Sequence, residues 1–119
     1  MKFTGEVLKG NGFGRQINFP TANLKLDGIT LEKGVYLSST IYNGKKYDSI
    51  SNFGNHPTYK ELINPILETH ILDFDEEIYG KIIEVELIKF IRPEIKFNHV
   101  DELKNQIQKD IEIAKKLIK

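Results

Sequence analysis

Alternating apolar and polar residues occupy most of the first three quarters of the chain. This alternation is typical of half-buried β-strands, whose successive side chains point to opposite faces. Asn43-Gly44 is a strong signal for a two-residue type I′ turn, because both residues tolerate positive φ angles. The stretch 24–28, which ends in the turn signal Asp27-Gly28, is predicted to return to the surface. The predicted strands cover 3–9, 35–42, 45–53, 66–74 and 81–91.

The strand predicted over 81–91 changes its periodicity part-way along. Ile83, Val85 and Leu87 share one face and alternate with glutamates. Ile88 and Phe90, however, fall on the same parity as those glutamates. The pattern predicts a bulge or sharp bend at which the inner face of the strand switches, as barrel strands often need.

The end of the chain follows a helical period. Asn98 is a plausible N-cap, and Asp101 lies in the first turn, where the helix dipole favours an acid. Five or six strands followed by one helix predict a mainly β domain over 1–119, in which the helix packs on a small antiparallel barrel or plugs one end. The apolar stripe of the helix comprises Val100, Leu103, Ile107, Ile111, Ala114 and Leu117 or Ile118.

Charge and composition narrow the function classes. Lys+Arg and Asp+Glu both number 17, so the formal net charge is zero, which argues against binding to nucleic acid by bulk electrostatics. The chain has no cysteine, which excludes a disulfide framework, a zinc thiolate site and a catalytic thiol. No apolar segment resembles a signal peptide or a membrane span. We therefore expect a cytoplasmic monomer with no nucleic-acid or membrane partner.

A glycine-rich segment carries the first candidate chemistry. Gly10, Gly12 and Gly14 let the backbone take positive φ angles and approach a ligand, so that successive N–H groups can bind an anion. Arg15 adds a planar cation that can neutralise phosphate charge. The spacing is neither a Walker loop nor a convincing dinucleotide fingerprint. On the glycines alone, a hairpin loop without a ligand is the favoured alternative.

The residues that follow the glycines change that balance. Pro20 fixes φ immediately before Thr21. Thr21 and Asn23 share strand parity, and their oxygens are hard donors that Mg²⁺ accepts beside phosphates and water. The alternative is a polar turn, but the glycines and Arg15 upstream favour a joint metal and phosphate site.

Glu68 lies inside an apolar strand, where a carboxylate costs desolvation unless it is paired or at an open mouth. It is a candidate general base, and a solvent-facing glutamate is the commoner alternative. His70 shares its face and could orient the carboxylate or be a structural histidine. Asn52 and Phe53 could line a pocket, with Phe53 packing on a planar ligand or, as the alternative, in the core. Arg92 could meet a ligand or the surface.

Taken together, these motifs resemble the riboflavin kinase family in order and spacing, across essentially the whole chain. The resemblance implies a six-stranded antiparallel Greek-key barrel with a C-terminal α-helix. It also implies an ATP:riboflavin 5′-phosphotransferase that makes FMN and ADP. The motifs are Gly12-Phe13-Gly14-Arg15, Phe19-Pro20-Thr21-Ala22-Asn23, Gly34-Val35-Tyr36, Ser51-Asn52-Phe53-Gly54, Glu68-Thr69-His70-Ile71-Leu72-Asp73-Phe74, Ile78-Tyr79-Gly80 and Arg92-Pro93-Glu94-Ile95-Lys96-Phe97.

The resemblance further implies roles for individual residues. Glu68 matches the proposed catalytic base that holds the 5′-hydroxyl group, and Thr21 and Asn23 match the residues that bind Mg²⁺ and phosphates. The nucleotide-binding set comprises Gly10, Gly12, Gly14, Arg15, Pro20, Thr21 and Asn23. The flavin-binding set comprises Asn52, Phe53, Arg92 and Phe97.

Two departures concern the glycine loop: Phe13 stands where the family often has a second cation, and Asn18 where it often has glycine. In bacteria this module is commonly the C-terminal half of a bifunctional FAD synthetase. The main alternative is a non-catalytic barrel that binds flavin or nucleotide. A second alternative is an OB-like barrel that binds single-stranded nucleic acid, which the neutral charge disfavours.

Overall fold

The computed structural model describes residues 1–8, 22–25, 31–54, 66–74, 76–93 and 99–118. Within these residues the chain forms six strands and one helix, which confirms the mainly β class. The strands are β1 (Lys2–Glu6), β2 (Ala22–Lys25), β3 (Gly34–Tyr42), β4 (Lys45–Gly54), β5 (Ile66–Ile71) and β6 (Ile82–Pro93), and the helix is α1 (Val100–Ile118).

The six strands form one antiparallel sheet in the order β1-β6-β3-β4-β5-β2. The three consecutive strands β3, β4 and β5 pair in turn, and β6 returns to lie beside β3, which is the Greek-key arrangement. The two edge strands, β1 and β2, approach each other through a bridge between Leu8 and Asn23. The sheet is therefore a nearly closed barrel, as predicted.

The predicted hairpin between β3 and β4 is confirmed. Tyr42 pairs with Lys45, which leaves Asn43 and Gly44 as the two loop residues. Their φ angles are 53° and 77°, and a type I′ turn requires positive values at both positions. The local sequence of the turn is thus enough to set the register of this strand pair.

The predicted switch of faces in β6 is also confirmed. The register between β3 and β6 shifts between Leu37 and Ser38, and Ile88 lies at that shift with 57% of its surface exposed. Beyond the bulge Phe90 returns to the interior, where its ring meets that of Tyr36 edge to face at 5.2 Å. The extra residue therefore keeps apolar side chains inside on both sides of the bend.

Two apolar clusters stabilise the fold, one on each face of the sheet. The interior cluster fills the barrel, and the helix-side cluster lies between the outer face and α1. The interior cluster comprises Phe3, Val7, Ala22, Leu24, Tyr36, Phe53, Leu67, Ile71, Ile78, Ile83 and Val85. The helix-side cluster comprises Val35, Leu37, Ile50, Leu72, Ile111 and Ala114.

A chain of hydroxyl groups crosses the barrel interior. Thr40 bonds Ser49 at 2.8 Å, Ser49 bonds Ser38 at 2.7 Å, Ser38 bonds Ser51 at 2.8 Å, and Ser51 bonds Thr69 at 2.8 Å. All five residues are buried. Because each hydroxyl group finds a partner within the chain, small polar side chains fill this part of the core without an unpaired group.

Three predictions about elements need correction, and a fourth lies outside the described residues. The strand predicted over 66–74 ends at Ile71, because the chain turns at Asp73, whose φ of 54° is left-handed. Leu24 does not return to the surface but is 1% exposed within β2. The end of the helical stripe is also wrong, since Leu117 and Ile118 are exposed. The predicted N-cap Asn98 lies outside the described residues.

Candidate functional site

Three polar side chains form a row across three adjacent strands. In the register of the sheet, Asn23 on β2 lies directly opposite Glu68 on β5, and Glu68 lies directly opposite Asn52 on β4. Residues opposite each other on paired strands project to the same face, with Cβ atoms about 4.5–5.5 Å apart. The sheet therefore brings three of the predicted site residues together, and we call them the polar row.

The polar row lies on the outer face of the barrel. The residues on either side of Asn23, Glu68 and Asn52 along their strands are buried in the interior, so the row must face the opposite way. On β3 the position opposite Asn52 is Val35, which belongs to the helix-side cluster. The row thus begins where the apolar surface under α1 ends.

The amide oxygens at the two ends of the row have unusual surroundings. Asn23 is 4% exposed. Within the described part of the chain, the Oδ1 atoms of Asn23 and Asn52 are buried and have no hydrogen-bond partner. A buried polar atom without a partner costs about 1–3 kcal/mol, so native structures rarely keep one without a reason. Two such atoms beside one carboxylate indicate a site that a ligand completes.

The described residues on either side of the glycine-rich segment lie at this row. The N–H group of Leu8, the last described residue before that segment, donates to the main-chain oxygen of Asn23 at 2.8 Å. Ala22, the first described residue after it, precedes Asn23 on β2. Both residues that border the segment are therefore neighbours of Asn23. The predicted site residues Gly10, Gly12, Gly14, Arg15, Pro20 and Thr21 themselves lie outside the described residues.

Glu68 occupies the centre of the row and is half-buried. His70 follows on the same face of β5, opposite Ile50, and is also half-buried. A carboxylate at this place can accept a proton or a hydrogen bond from a bound hydroxyl group while remaining open to solvent on one side. Glu68 is thus partly exposed at the centre of the row, and its role as a catalytic base stays a prediction.

The metal predicted for this site has one described donor that fits it. The Asn23 Oδ1 atom is buried and unpartnered, and a neutral amide oxygen is a ligand that Mg²⁺ accepts. Among the described residues there is no group of three or more His, Cys, Asp or Glu side chains that could hold a metal ion. The binding of Mg²⁺ at Asn23 stays a prediction.

Arg92 is engaged in a contact with the helix. Its Nε and Nη2 atoms donate to the two carboxylate oxygens of Asp110 at 2.9 Å and 2.8 Å, and its Nη1 atom donates to the oxygen of Pro93 at 3.0 Å. Gln106 donates to the same carboxylate at 3.1 Å. The fork joins β6 to α1, and the role of Arg92 in flavin binding remains a prediction.

The structure places Phe53, another predicted flavin residue, on the opposite face from the row. Phe53 lies on the interior face with 2% of its surface exposed, so its ring packs in the core, as the alternative interpretation had it. Phe97 lies outside the described residues. Of the predicted flavin-binding residues that the structure describes, only Asn52 therefore stands beside Glu68.

Asp110 is a structural residue that the sequence analysis missed. It is 3% exposed and receives hydrogen bonds from both Arg92 and Gln106. The signal was present in the helical pattern, because Asp110 falls between Ile107 and Ala114 on the apolar stripe of α1. An acidic residue on a buried stripe predicts a buried cation partner.

Comparisons with known proteins point to one family. The family model of riboflavin kinase (flavokinase) matches residues 1–118. A bifunctional riboflavin kinase/FMN adenylyltransferase from Haemophilus influenzae is 44% identical over 93% of this chain, and the match covers 36% of that protein. The chain thus spans about a third of the length of this relative.

Two solved structures share the fold. A crystal structure described as a macrolide-efflux protein from Streptococcus pneumoniae matches 96% of this chain and 38% of its own, with a TM-score of 0.85 and 33% identity. Riboflavin kinase from Trypanosoma brucei matches 98% of this chain and 78% of its own, with a TM-score of 0.67 and 18% identity. No helix in the described ranges has the length and apolar character needed to cross a membrane. Because the family model matches nearly the whole length of this chain, the chain belongs to the riboflavin kinase family.

Proposed function

We propose that this domain transfers the γ-phosphoryl group of ATP to the 5′-hydroxyl group of riboflavin, which yields FMN and ADP. The observation that carries the proposal is the polar row, in which a half-buried carboxylate lies between two buried amide oxygens that have no partner in the described residues. Phosphoryl transfer depends on positioning and charge neutralisation more than on covalent chemistry, and the row supplies fixed polar groups of that kind.

In the proposed reaction, Glu68 holds the 5′-hydroxyl group and accepts its proton. The oxygen of that group forms a bond to the γ-phosphorus, the bond between this phosphorus and the β,γ-bridging oxygen breaks, and ADP leaves with the electron pair. Asn23 at the β2 end of the row would hold Mg²⁺ together with Thr21. When bound, Mg²⁺ neutralises charge on the β- and γ-phosphates.

The residues that border the glycine-rich segment support this division of the site. Leu8 and Ala22 both lie at the β2 end of the row, so we place a phosphate bound by Gly10, Gly12, Gly14 and Arg15 near Asn23. The acceptor hydroxyl group would then lie at Glu68.

We further propose that the domain works as a cytoplasmic monomer without a nucleic-acid partner. Size-exclusion chromatography would test the oligomeric state, and an oligonucleotide gel shift would test nucleic-acid binding.

The decisive experiment mixes the purified chain with riboflavin, ATP and Mg²⁺ and separates the flavins by chromatography. We expect FMN to form only when all three are present, with ADP in equal amount. Absence of FMN would contradict the proposal. Quenched riboflavin fluorescence without FMN would favour the alternative of a non-catalytic flavin-binding barrel.

A further inference from the structure

Asn52 lies at the β4 end of the polar row, and no contact within the described residues accounts for its side-chain oxygen. It lies directly opposite Glu68 on the outer face, on the side away from Asn23. Its Oδ1 atom is buried and has no hydrogen-bond partner among the residues that the structure describes. We infer that this oxygen accepts a hydrogen bond from a secondary hydroxyl group of the ribityl chain, and that it makes the enzyme specific for a hydroxylated chain.

The position of Asn52 determines what kind of ligand group it can meet. Leu8 and Ala22, the described residues that border the glycine-rich segment, lie at the β2 end of the row, on the far side of Glu68. The β4 end is therefore left for the acceptor substrate, whose reacting hydroxyl group lies at Glu68. A group that meets Asn52 lies about one interstrand spacing further along, roughly 5 Å. In riboflavin the groups that follow the reacting one are hydroxyl groups of the same chain.

The chemistry of the amide oxygen fits a hydroxyl donor. Unlike a second carboxylate, it is neutral, so it binds an O–H group without placing a negative charge beside Glu68. A buried acceptor that is left unpaired penalises any substrate that lacks the matching donor. Sites of this kind discriminate strongly against analogues that lack a hydroxyl group, whereas apolar pockets do not.

The test compares riboflavin with 10-(5-hydroxypentyl)flavin, which keeps the ring and the terminal hydroxyl group but lacks the secondary ones. We expect the unmodified protein to prefer riboflavin in kcat/KM by about 10²-fold. Asn52→Leu should reduce this preference at least about 10-fold, mainly because kcat/KM for riboflavin falls. Asn52→Asp keeps an acceptor oxygen and should retain the preference even where turnover is slower.

Ser39→Ala is the matched control. The Ser39 Oγ atom is also buried and without a partner among the described residues, but it lies opposite Asp48 and Glu86, away from the polar row. Its removal should leave the preference unchanged. Thermal melting should show that each variant folds. Should Asn52→Leu fail to fold, loss of the preference in Asn52→Ala supports the inference and its retention overturns it.

This inference rests on the proposed function, and the two can fail separately. If the unmodified protein makes no FMN, the proposed function is wrong. If it makes FMN, but Asn52→Leu lowers kcat/KM for both flavins by the same factor, the kinase assignment stands and the role of Asn52 is overturned. An unmodified protein that uses both flavins equally well overturns it too.

Discussion

The strands β4 and β5 carry two polar pairs, one on each face of the sheet, and the two pairs differ in their hydrogen bonding. On the interior face, Ser51 lies opposite Thr69, and their hydroxyl groups bond at 2.8 Å within a chain of five. On the outer face, one residue along, Asn52 lies opposite Glu68, and the Asn52 Oδ1 atom is buried without a partner in the described structure.

The difference separates structural from functional polarity. Both pairs belong to the same strands and the same register, so the pairing of the strands does not distinguish them, whereas the face of the sheet does. Buried hydroxyl groups that satisfy one another stabilise a unique packing. Buried amide oxygens that satisfy nothing leave a cost of about 1–3 kcal/mol each, which a bound ligand can recover. Mutations on the two faces should therefore affect different quantities.

Glu68→Gln should give the largest effect on the outer face. Turnover should fall by roughly 10²-fold or more, the usual scale for a positioned acid–base group, while the thermal midpoint stays within a few degrees. Steady-state kinetics and thermal melting measure the two quantities. The matched control is Glu84→Gln, which alters another half-buried glutamate on β6 and should leave turnover unchanged. Near-normal turnover by Glu68→Gln would contradict the assignment.

The pair of Arg92 and Asp110 extends the comparison, because it is polar and buried but fully matched. Asp110→Ala removes the partner of Arg92, whose side chain is only 16% exposed. Because the guanidinium group is then unpaired, the free energy of unfolding should fall by about 3 kcal/mol. Urea denaturation measures the loss. An Arg92→Met variant with normal stability but weakened riboflavin binding would instead favour the predicted flavin contact.

Asn23→Leu should separate stability from binding. Since the Asn23 Oδ1 atom has no partner in the described residues, an apolar side chain of similar size should leave the free energy of unfolding unchanged or raise it by about 1 kcal/mol. The affinity for Mg·ATP should fall about 10-fold, which corresponds to one charge-assisted contact of about 1.4 kcal/mol. Calorimetric titration gives the affinity, and unchanged nucleotide binding would count against the metal assignment.

Ser51→Ala should have the reverse signature. It removes a hydroxyl group that bonds both Ser38 and Thr69, so the free energy of unfolding should fall by about 1–2 kcal/mol with kcat/KM unchanged. Ser39→Ala provides the control, because its hydroxyl oxygen has no partner among the described side chains and its loss should cost little. Equal destabilisation by both variants would show that the hydrogen bonds of the hydroxyl chain add nothing measurable to the free energy of unfolding.

The smallest expected effect concerns Tyr36 on the interior face and is a change in how stability depends on pH. It lies opposite Ser51, and burial, helped by the negative charge of Glu32, raises the pKa of its hydroxyl group above the usual 10.0. The unfolded chain therefore loses this proton first. The stabilisation is complete below pH 10 and is lost as the pH rises through the folded pKa. Urea denaturation between pH 9 and 11 should show a steeper loss for the unmodified protein than for Tyr36→Phe, and identical slopes would contradict this.

Much of the fold follows from local patterns that act over a few residues. Asn43-Gly44 sets its hairpin because both residues accept positive φ, and the parity change before Phe90 gives a bulge because apolar side chains must stay inside. The stripe through Ile107 and Ala114 predicts a helix with one buried face. These features need no knowledge of what each element packs against.

The candidate site was only partly accessible to the sequence. Motifs singled out Asn23, Asn52 and Glu68 as separate candidates, but nothing local states that they are neighbours. Their proximity depends on the pairing of β5 with both β2 and β4. Of these three strands, β2 is distant in the chain from the other two. The short strand β2 was missed beyond Asn23, because four residues are too few to show a period, and Leu24 is buried only because β1 and β5 enclose it.

By itself, the sequence determined the mainly β class, the hairpin, the bulge, the helix and the candidate chemistry, because these depend on local backbone preferences and on the types of residue present. Only the tertiary structure decided which face each polar residue takes and what satisfies it. The packing of the two sheet faces placed Phe53 in the core, and the packing of α1 against β6 matched Arg92 with Asp110. The pairing of β5 with β2 and β4 left two amide oxygens beside Glu68 without a partner in the described residues. A one-residue change of register moves every side chain to the opposite face, so this information lies in the pairing of whole strands and not in any single motif.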